Sequence, residues 1–425
     1  MKISVSNIGL INRADIELDG ITVIGGYNCS GKSTILKAIY SLLYSNSDIK
    51  KKIEEEKEKS FIQAVENSGS ILSYLYGLLP AVKEFWCQVN EIFEKEQNLT
   101  LEQLNKVVEK NIKKENYFDK FEIHGIDDPE FKRNVIKKQI ESLYEKLVTI
   151  LKRNDSEYVR FIFSRNFQNI FKGNINSFGC KKNGNIKIEF DTNETFAEFK
   201  DNKMISCKSY PNFVNSIWYI DTCHFTDIIN DKKVSLLLYS ELRKALYKEV
   251  GIDVSFETFS DIEENTDAFA NILKEILHGE LITGESVSSL LYKDEKTNTS
   301  FDVKNVASGM KNMLVIQKLL QNGSLNRNSI LLIDEPESNL HPEWQVKFAE
   351  ILVLLNKELN IKIVINSHSP YFMRAVEVSL ANYSLKDKGR FYVMNEDANG
   401  YFSTEDVTNN TDKIYEMLYK PLDYL

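Results

Sequence analysis

The sequence predicts an α/β fold in which a mixed sheet is flanked by helices. Three short apolar runs, at residues 21–24, 329–333 and 361–365, have the composition of strands that are buried on both faces of a parallel sheet. The first run leads through a glycine-containing segment into a helical apolar pattern over residues 34–43. The polar residues that follow the three runs are therefore the candidate functional residues.

The segment after the first run is a complete phosphate-binding loop. Residues 26–33 read G-Y-N-C-S-G-K-S and fit the pattern G-x-x-x-x-G-K-[ST]. Glycines allow backbone N–H groups to face phosphate oxygens, and the N-terminus of the following helix adds partial positive charge. We predict that Lys32 reaches the β- and γ-phosphates of ATP and that Ser33 holds Mg²⁺. The predicted ATP-binding residues are Gly26, Asn28, Ser30, Gly31, Lys32, Ser33 and Thr34.

The second and third runs are followed by two acids and a histidine. Asp334 and Glu335 come directly after residues 329–333. An acid at the end of such a strand can orient Mg²⁺ through water, and the next acid can polarise an attacking water. We therefore predict Asp334, with Ser33, as a metal ligand and Glu335 as a catalytic residue. His368 follows the third strand and is predicted to contact the γ-phosphate as the second catalytic residue.

A further glycine motif precedes the strand that carries the two acids. Residues 306–311 read V-A-S-G-M-K and lead into a predicted helix over residues 310–321, which Gly323 ends. Ser308 is predicted to cap this helix, and with Gly309 to expose backbone amides at its start. A kinase or GTPase does not need this second anion site, whereas an ATPase that holds nucleotide between two heads needs one. Ser308 and Gly309 are therefore predicted to reach the ATP of a partner chain.

Together these motifs resemble those of ABC-type ATPases. The resemblance includes D-E-P-E at residues 334–337, S-N-L-H-P at 338–342 and S-H-S-P at 367–370. More narrowly, the motifs are similar to those of the soluble branch near the structural-maintenance-of-chromosomes heads and the overcoming-lysogenization-defect (OLD) family. That branch includes ATPases of bacterial anti-phage systems such as Septu, PARIS and retron-linked modules. The resemblance covers about residues 1–45 and 290–380.

The resemblance implies a P-loop ATPase head of the ABC type with ATP and Mg²⁺ as cofactors. It further implies a homodimer, or a higher even-numbered oligomer, that closes on ATP and gates a separately encoded nuclease or toxin, or a DNA transaction. Two features depart from the family pattern. Met310 and Lys311 stand where transporter-type ATPases prefer Gly and Gln, and no Q-loop is evident, with Gln168 as a candidate.

The pattern along the chain predicts four segments. Residues 1–47 hold the phosphate-binding loop, and 48–165 form a helical insertion that is too short for long coiled-coil arms. Residues 166–229 complete the first lobe with antiparallel strands at 185–190, after a hairpin turn at residues 183–184, and at 216–221. Residues 230–425 form a second lobe with helices at 234–247 and 268–277, a hairpin around 293–299, and a strand at 390–394.

Composition favours a cytoplasmic protein. The chain has 425 residues, a net charge of −9 and five cysteines without paired spacing, which fits a reducing compartment and argues against a zinc site. No apolar run approaches the length of a membrane span, and the strand pattern begins too early for a signal peptide.

The segment after His368 is too short for a nuclease domain. A basic, phenylalanine-rich stretch over residues 160–187 is either a DNA-backbone surface or a buried aromatic face.

Other functions stay open at this point. The first alternative is a chromosome-maintenance or repair ATPase, and strong activation of hydrolysis by DNA ends would favour it. The nucleotide-binding subunit of a transporter would co-purify with a membrane subunit, although the helical insertion and the unusual residues 310–311 count against it. A third alternative is a scaffold that binds ATP and hardly turns over. ATP binding without measurable hydrolysis would favour it.

Overall fold

The computed structural model describes residues 1–67, 79–114, 129–210, 214, 216–221, 236–248, 273, 276–284 and 290–420. The chain divides into two compact units, one made of Met1–Ser47 with Phe163–Leu425 and the other of Asp48–Ile162. Most of the predicted helix at 268–277, and the predicted boundary at 229–230, lie outside the described residues. Among the described residues, no helix has both the length and the apolar character needed to cross a membrane.

Within its described part, the first unit is built on an eleven-stranded mixed sheet with the order β6-β5-β4-β1-β2-β14-β13-β3-β12-β11-β7. The strands are β1 Lys2–Ile8, β2 Ile11–Glu17, β3 Ile21–Gly25, β4 Gly184–Phe190, β5 Asn193–Lys200, β6 Lys203–Lys208, β7 Ile217–Asp221, β11 Ile330–Asp334, β12 Lys362–Ser367, β13 Gly389–Glu396 and β14 Phe402–Asp406. A three-stranded antiparallel sheet consists of β8 Gly279–Thr283, β9 Leu290–Asp294 and β10 Ser300–Asp302, and it contains the predicted hairpin around 293–299.

The helices of the first unit flank the large sheet. They are α1 Lys32–Asn46, α7 Leu237–Leu246, α8 Lys311–Gln321, α9 Pro342–Leu359, α10 Pro370–Asn382 and α11 Asp412–Tyr419. The described part of the second unit is helical, with α2 Ile49–Glu66, α3 Leu79–Glu96, α4 Leu101–Lys114 and α5 Pro129–Lys152, while α6 Asp155–Phe171 spans the boundary. The predicted α/β fold with a mixed sheet, flanking helices and an inserted helical subdomain is confirmed.

A parallel core positions the functional residues. β3, β12 and β11 are parallel neighbours, and every residue of β3 and β11 is buried. This burial on both faces explains why their sequences are continuous apolar runs. The register sets Gly25 opposite Ser367 and Asp334 opposite Asn366. The carboxyl ends of the three strands therefore lie side by side.

Two sequence predictions about strands are wrong. Residues 183–184 do not form a hairpin turn, since Gly184 begins β4 and the chain reverses after β4 near Asp191, where φ is 50°. A Cβ at Gly184 would lie 2.9 Å from the carbonyl oxygen of Asn7, so the glycine permits close packing instead. Strand β7 does not belong to the antiparallel part either, because it pairs in parallel with β11 and sets Asp221 beside Asp334.

Candidate nucleotide-binding site

The phosphate-binding loop connects β3 to α1, as the sequence predicts. Gly31 caps α1 with φ of 84°, and a Cβ there would lie 2.6 Å from Cδ1 of Ile11. This position therefore requires glycine for its backbone conformation and for space. Gly26 is buried beside Met394, whereas Asn28 is exposed. The amide of Thr34 donates to the carbonyl of Gly31 and so begins the helix.

Lys32 lies folded over its own loop. Its Nζ donates to the carbonyl oxygens of Gly26 at 2.8 Å and Tyr27 at 2.7 Å. Burial lowers the pKa of Lys32, and the nearby charges of Glu335 and Asp334 oppose that shift. Close by in the chain, the hydroxyl of Ser30 is buried without a hydrogen-bond partner among the described residues. A buried cation and an unsatisfied hydroxyl in one loop fit an anionic ligand such as the phosphates of ATP.

Asp334 is held by donors from three neighbouring elements. Its carboxylate accepts hydrogen bonds from the hydroxyl of Tyr219 at 3.0 Å, from Nδ2 of Asn366 at 3.1 Å and from the hydroxyl of Ser33. Burial raises the pKa of Asp334, and these donors counteract the shift. Among the described residues, no group of three or more His, Cys, Asp or Glu side chains could hold a metal.

The Ser33 and Asp334 pair nevertheless fits Mg²⁺. Both residues offer oxygen ligands, which this hard cation prefers. Mg²⁺ commonly binds through one or two carboxylates together with substrate phosphates, without a complete cage of protein ligands. A site with one serine hydroxyl and one carboxylate beside a phosphate-binding loop matches that mode.

Glu335 adopts a strained backbone conformation at the end of β11. Its φ is 50°, which is rare for a residue with a Cβ and costs about 1–3 kcal/mol. The amide of Glu335 donates to the carbonyl of Asn366 at 3.0 Å, which holds the turn. The carboxylate accepts a hydrogen bond from Ser338 at 3.2 Å and stays 34% exposed. A carboxylate that is both fixed and accessible is able to act on a water molecule.

His368 lies between two carboxylates. Its Nδ1 is 3.6 Å from Oε1 of Glu335 and 3.4 Å from Oε1 of Glu337, and its side chain is 41% exposed. The structure thus brings the predicted residues Glu335 and His368 together. Sequence reasoning assigned no role to Glu337, although the D-E-P-E motif contains it. The signal that the sequence offered was the second glutamate of the D-E-P-E motif itself.

The predicted cap at Ser308 is wrong. Ser308 is the first residue of a 3-10 turn, Ser308–Met310, and α8 begins only at Lys311 without a side-chain cap. The 3-10 turn occupies residues that were predicted to lie at the start of the helix. The exposed hydroxyl of Ser308 therefore does not accept hydrogen bonds from the helix amides. Gly309 is buried instead, and a Cβ there would lie 2.5 Å from the carbonyl oxygen of Asn339.

The candidate Q-loop residue Gln168 is also engaged elsewhere. Its Nε2 donates to the carbonyl of Asn202 at 2.5 Å, next to β5 and β6 at the far end of the sheet from β7. The strand beside β11 ends instead in Asp221.

The basic stretch over residues 160–187 is partly buried. Its residues Phe163 and Phe167 are buried, whereas Phe178 is 96% exposed.

The parallel core, the phosphate-binding loop and the acids at the end of β11 define a P-loop ATPase domain. Residues 1–373 match the AAA ATPase domain family, and the chain belongs to that family of nucleotide-binding domains.

Three solved structures to which the chain is similar are SMC heads at low sequence identity. One is an SMC head bound to the C-winged helix domain of ScpA, with 12% identity, a TM-score of 0.44, and 97% of this chain and 98% of that chain covered. Another is the SMC head domain from Thermotoga maritima, with 10% identity, a TM-score of 0.37, and 96% and 98% covered. A third is an Smc head domain with an extended coiled coil bound to the C-terminal domain of ScpA derived from Pyrococcus furiosus, with 11% identity, a TM-score of 0.35, and 99% and 98% covered.

Proposed function

We propose that the protein hydrolyses ATP with Mg²⁺ as cofactor. The observation that carries this proposal is the convergence of four residues on the carboxyl ends of adjacent parallel strands. Lys32 follows β3, Asp334 and Glu335 lie at the end of β11, and His368 follows β12. Ligands of open α/β sheets bind at this edge, and phosphoryl transfer needs a phosphate clamp, a metal ligand and a group that orients water.

Each side chain has a role that its contacts support. Lys32 would exchange its carbonyl partners for the β- and γ-phosphates. Ser33 and Asp334 would hold Mg²⁺, which when bound neutralises charge on the phosphate oxygens. Glu335 would orient the attacking water and accept its proton. His368, beside Glu335, would contact the γ-phosphate.

The proposal is tested by steady-state hydrolysis and by ATP binding with two variants. Lys32→Ala should weaken binding and turnover together, because the only lysine of the loop is lost. Glu335→Gln should bind ATP but turn over at least about tenfold more slowly, since a lost general base commonly costs 10² or more. Glu343→Gln, an exposed change on α9, is the matched control and should behave as wild type. Wild-type turnover by Glu335→Gln would assign the base elsewhere.

We further propose that two heads close on ATP and gate a separately encoded nuclease or toxin in the cytoplasm, in defence against phage. The motifs E-x-x-L-H-P at residues 337–342 and S-H-S-P at residues 367–370 support this role. The identity of the protein encoded by the adjacent gene tests it, since a nuclease or toxin is expected there.

A DNA transaction is the second candidate. Phe178 is 96% exposed in a loop that also carries the exposed residues Lys181 and Lys182, and such a combination suits stacking and phosphate contact. Hydrolysis rates with and without linear DNA decide this point. Strong activation by DNA ends would favour a repair or chromosome-maintenance role over defence, and no activation would remove the DNA candidate.

A further inference from the structure

Glu337 is a buried acid that the proposed reaction does not yet use. It lies just beyond the end of β11, and its side chain is only 3% exposed. Nδ1 of His368 lies 3.4 Å from its Oε1. A carboxylate buried to this degree is unfavourable unless donors or charges compensate it. The position of those donors therefore indicates what the side chain does.

The donors to Glu337 are three consecutive residues, the last of β12 and the two that follow it. Its Oε1 accepts from the hydroxyl of Ser367 at 2.7 Å, from the amide of His368 at 2.8 Å and from the amide of Ser369 at 3.1 Å. Ser369 is also fixed on its other side, because its hydroxyl accepts from the amide of Phe372 at the start of α10 and donates to Gln345 of α9. Glu337 thus ties the turn after β11 to the turn that carries His368.

The same oxygen of Glu337 faces the imidazole of His368. Nδ1 lies 3.4 Å from Oε1 of Glu337 and 3.6 Å from Oε1 of Glu335, so two carboxylates surround one ring nitrogen. The carboxylate that holds the backbone turn of His368 is therefore also in contact with its ring.

We propose that Glu337 is a positioning residue that fixes the turn carrying His368 and so sets where the imidazole stands beside Glu335 and the γ-phosphate. This inference rests on the proposed ATPase function. The other oxygen of Glu337, Oε2, is buried and has no hydrogen-bond partner among the described residues. Glu337→Gln therefore keeps the accepting oxygen, removes the charge and places an NH2 group at the buried Oε2 position, whereas Glu337→Ala removes the whole acceptor.

The first test measures turnover and ATP affinity of the full-length chain. Glu337→Gln should bind ATP within about twofold of wild type and lose roughly tenfold to a hundredfold in kcat, as expected when a group that orients a functional histidine is altered. Glu337→Ala should lose more. Glu343→Gln again serves as the exposed control. Because Glu337 acts through His368, the double variant Glu337→Gln with His368→Gln should be no slower than His368→Gln alone.

The second test observes the histidine directly and does not depend on hydrolysis. In ¹⁵N-histidine NMR spectra, the His368 signals are those missing in His368→Gln. Glu337→Gln should shift these signals, because the carboxylate beside Nδ1 loses its charge. Unchanged NMR signals together with kcat within about twofold of wild type would overturn the proposal, as would a double variant much slower than both single variants. If wild type shows no hydrolysis while Glu337→Gln still shifts the His368 signals, the ATPase proposal is wrong and the positioning role stands.

Discussion

Two residues of the site hold left-handed backbone conformations without being glycine. Cys29 has φ of 62° and Glu335 has φ of 50°. Each costs about 1–3 kcal/mol and persists only where the surrounding structure holds it. At Glu335, the bond from its amide to Asn366 provides that restraint. The strain thus coincides with the phosphate-binding loop and with the proposed catalytic acid, the two places where backbone direction decides which groups face a ligand.

Cys29 provides a direct probe of the loop. Its side chain is exposed, and it lies between residues predicted to bind phosphate. We expect alkylation of Cys29 to block ATP binding and bound MgATP to slow the labelling, because a closed loop shields the thiol. Mass spectrometry of labelled peptides measures both rates. Cys87, exposed on α3, is the internal control and should label at the same rate with and without ATP. Equal protection of both thiols, or of neither, would contradict closure of this loop on nucleotide.

The sequence alone places the candidate groups along the chain but does not give their partners. The motifs predict Lys32, Asp334, Glu335 and His368, because each must follow a strand at a fixed offset. The orienting role of Glu337 was missed, because it depends on the register between β11 and β12. The cap at Ser308 was predicted wrongly, since the sequence does not distinguish a helix start from a preceding 3-10 turn.

At the scale of elements, Gly309 couples the turn before α8 to the loop after β11. A Cβ at this position would meet the carbonyl oxygen of Asn339 at 2.5 Å and Cδ2 of Leu340 at 2.8 Å. Gly309→Ala should therefore displace that loop at a cost of about 1–3 kcal/mol. We expect turnover to fall several-fold with ATP binding nearly unchanged. Glu343→Gln, an exposed change on α9, is the control. A Gly309→Ala variant with wild-type turnover and unfolding midpoint would show that this contact can relax freely.

The helical unit has its own aromatic core. The ring of Phe61 lies 5.2 Å from that of Phe85 and 5.0 Å from that of Trp86, between centroids, and Phe61 is fully buried. Phe61→Ala should destabilise this unit by about 3–5 kcal/mol, because it leaves a cavity. Hydrogen exchange of α2 and α3 should rise accordingly. Glu55→Ala, an exposed change on α2, should stay within about 0.5 kcal/mol of wild type. Unchanged exchange in Phe61→Ala would mean that the core repacks without loss.

Strands were predictable where burial on both faces produces a continuous apolar run. β3, β11 and β12 were found in this way. β14 was not predicted, because its residues are half-buried or exposed and carry little apolar pattern. β7 was found as a strand but assigned to the antiparallel part, since its partner β11 lies far away in the sequence. Strand pairing between distant segments is decided by tertiary packing, which local composition does not report.

On the scale of the whole molecule, the site depends on contacts between the two ends of the chain. β12 lies between β3 and β11, so Gly25 pairs with Ser367 and Asp334 with Asn366. β13 pairs with β3 on its other side. The phosphate-binding loop therefore meets its acids only when strands from both ends of the chain have paired.

The arrangement around Ser308 bears on the proposed association of two heads. Ser308 is exposed, while its neighbour Gly309 packs on the loop that follows the acids of β11. A partner chain that contacts Ser308 would therefore act on a turn that packs against the loop following Glu335 and Glu337. This connection gives a physical route by which closure of two heads could control hydrolysis.

Composite active sites are testable by mixing two inactive variants. In a dimer with shared sites, each site needs Lys32 of one chain and Ser308 of the other. Ser308→Arg should bind ATP but not turn over, because the added bulk prevents closure. A one-to-one mixture with Lys32→Ala should recover roughly a quarter of the wild-type sites, since half of the random dimers are mixed and each has one intact site. ATP should also promote association of Glu335→Gln heads, measured by light scattering, with Glu343→Gln as the exposed control that keeps turnover. If mixing recovers no activity and ATP causes no association, the two-headed site is wrong and each chain acts alone.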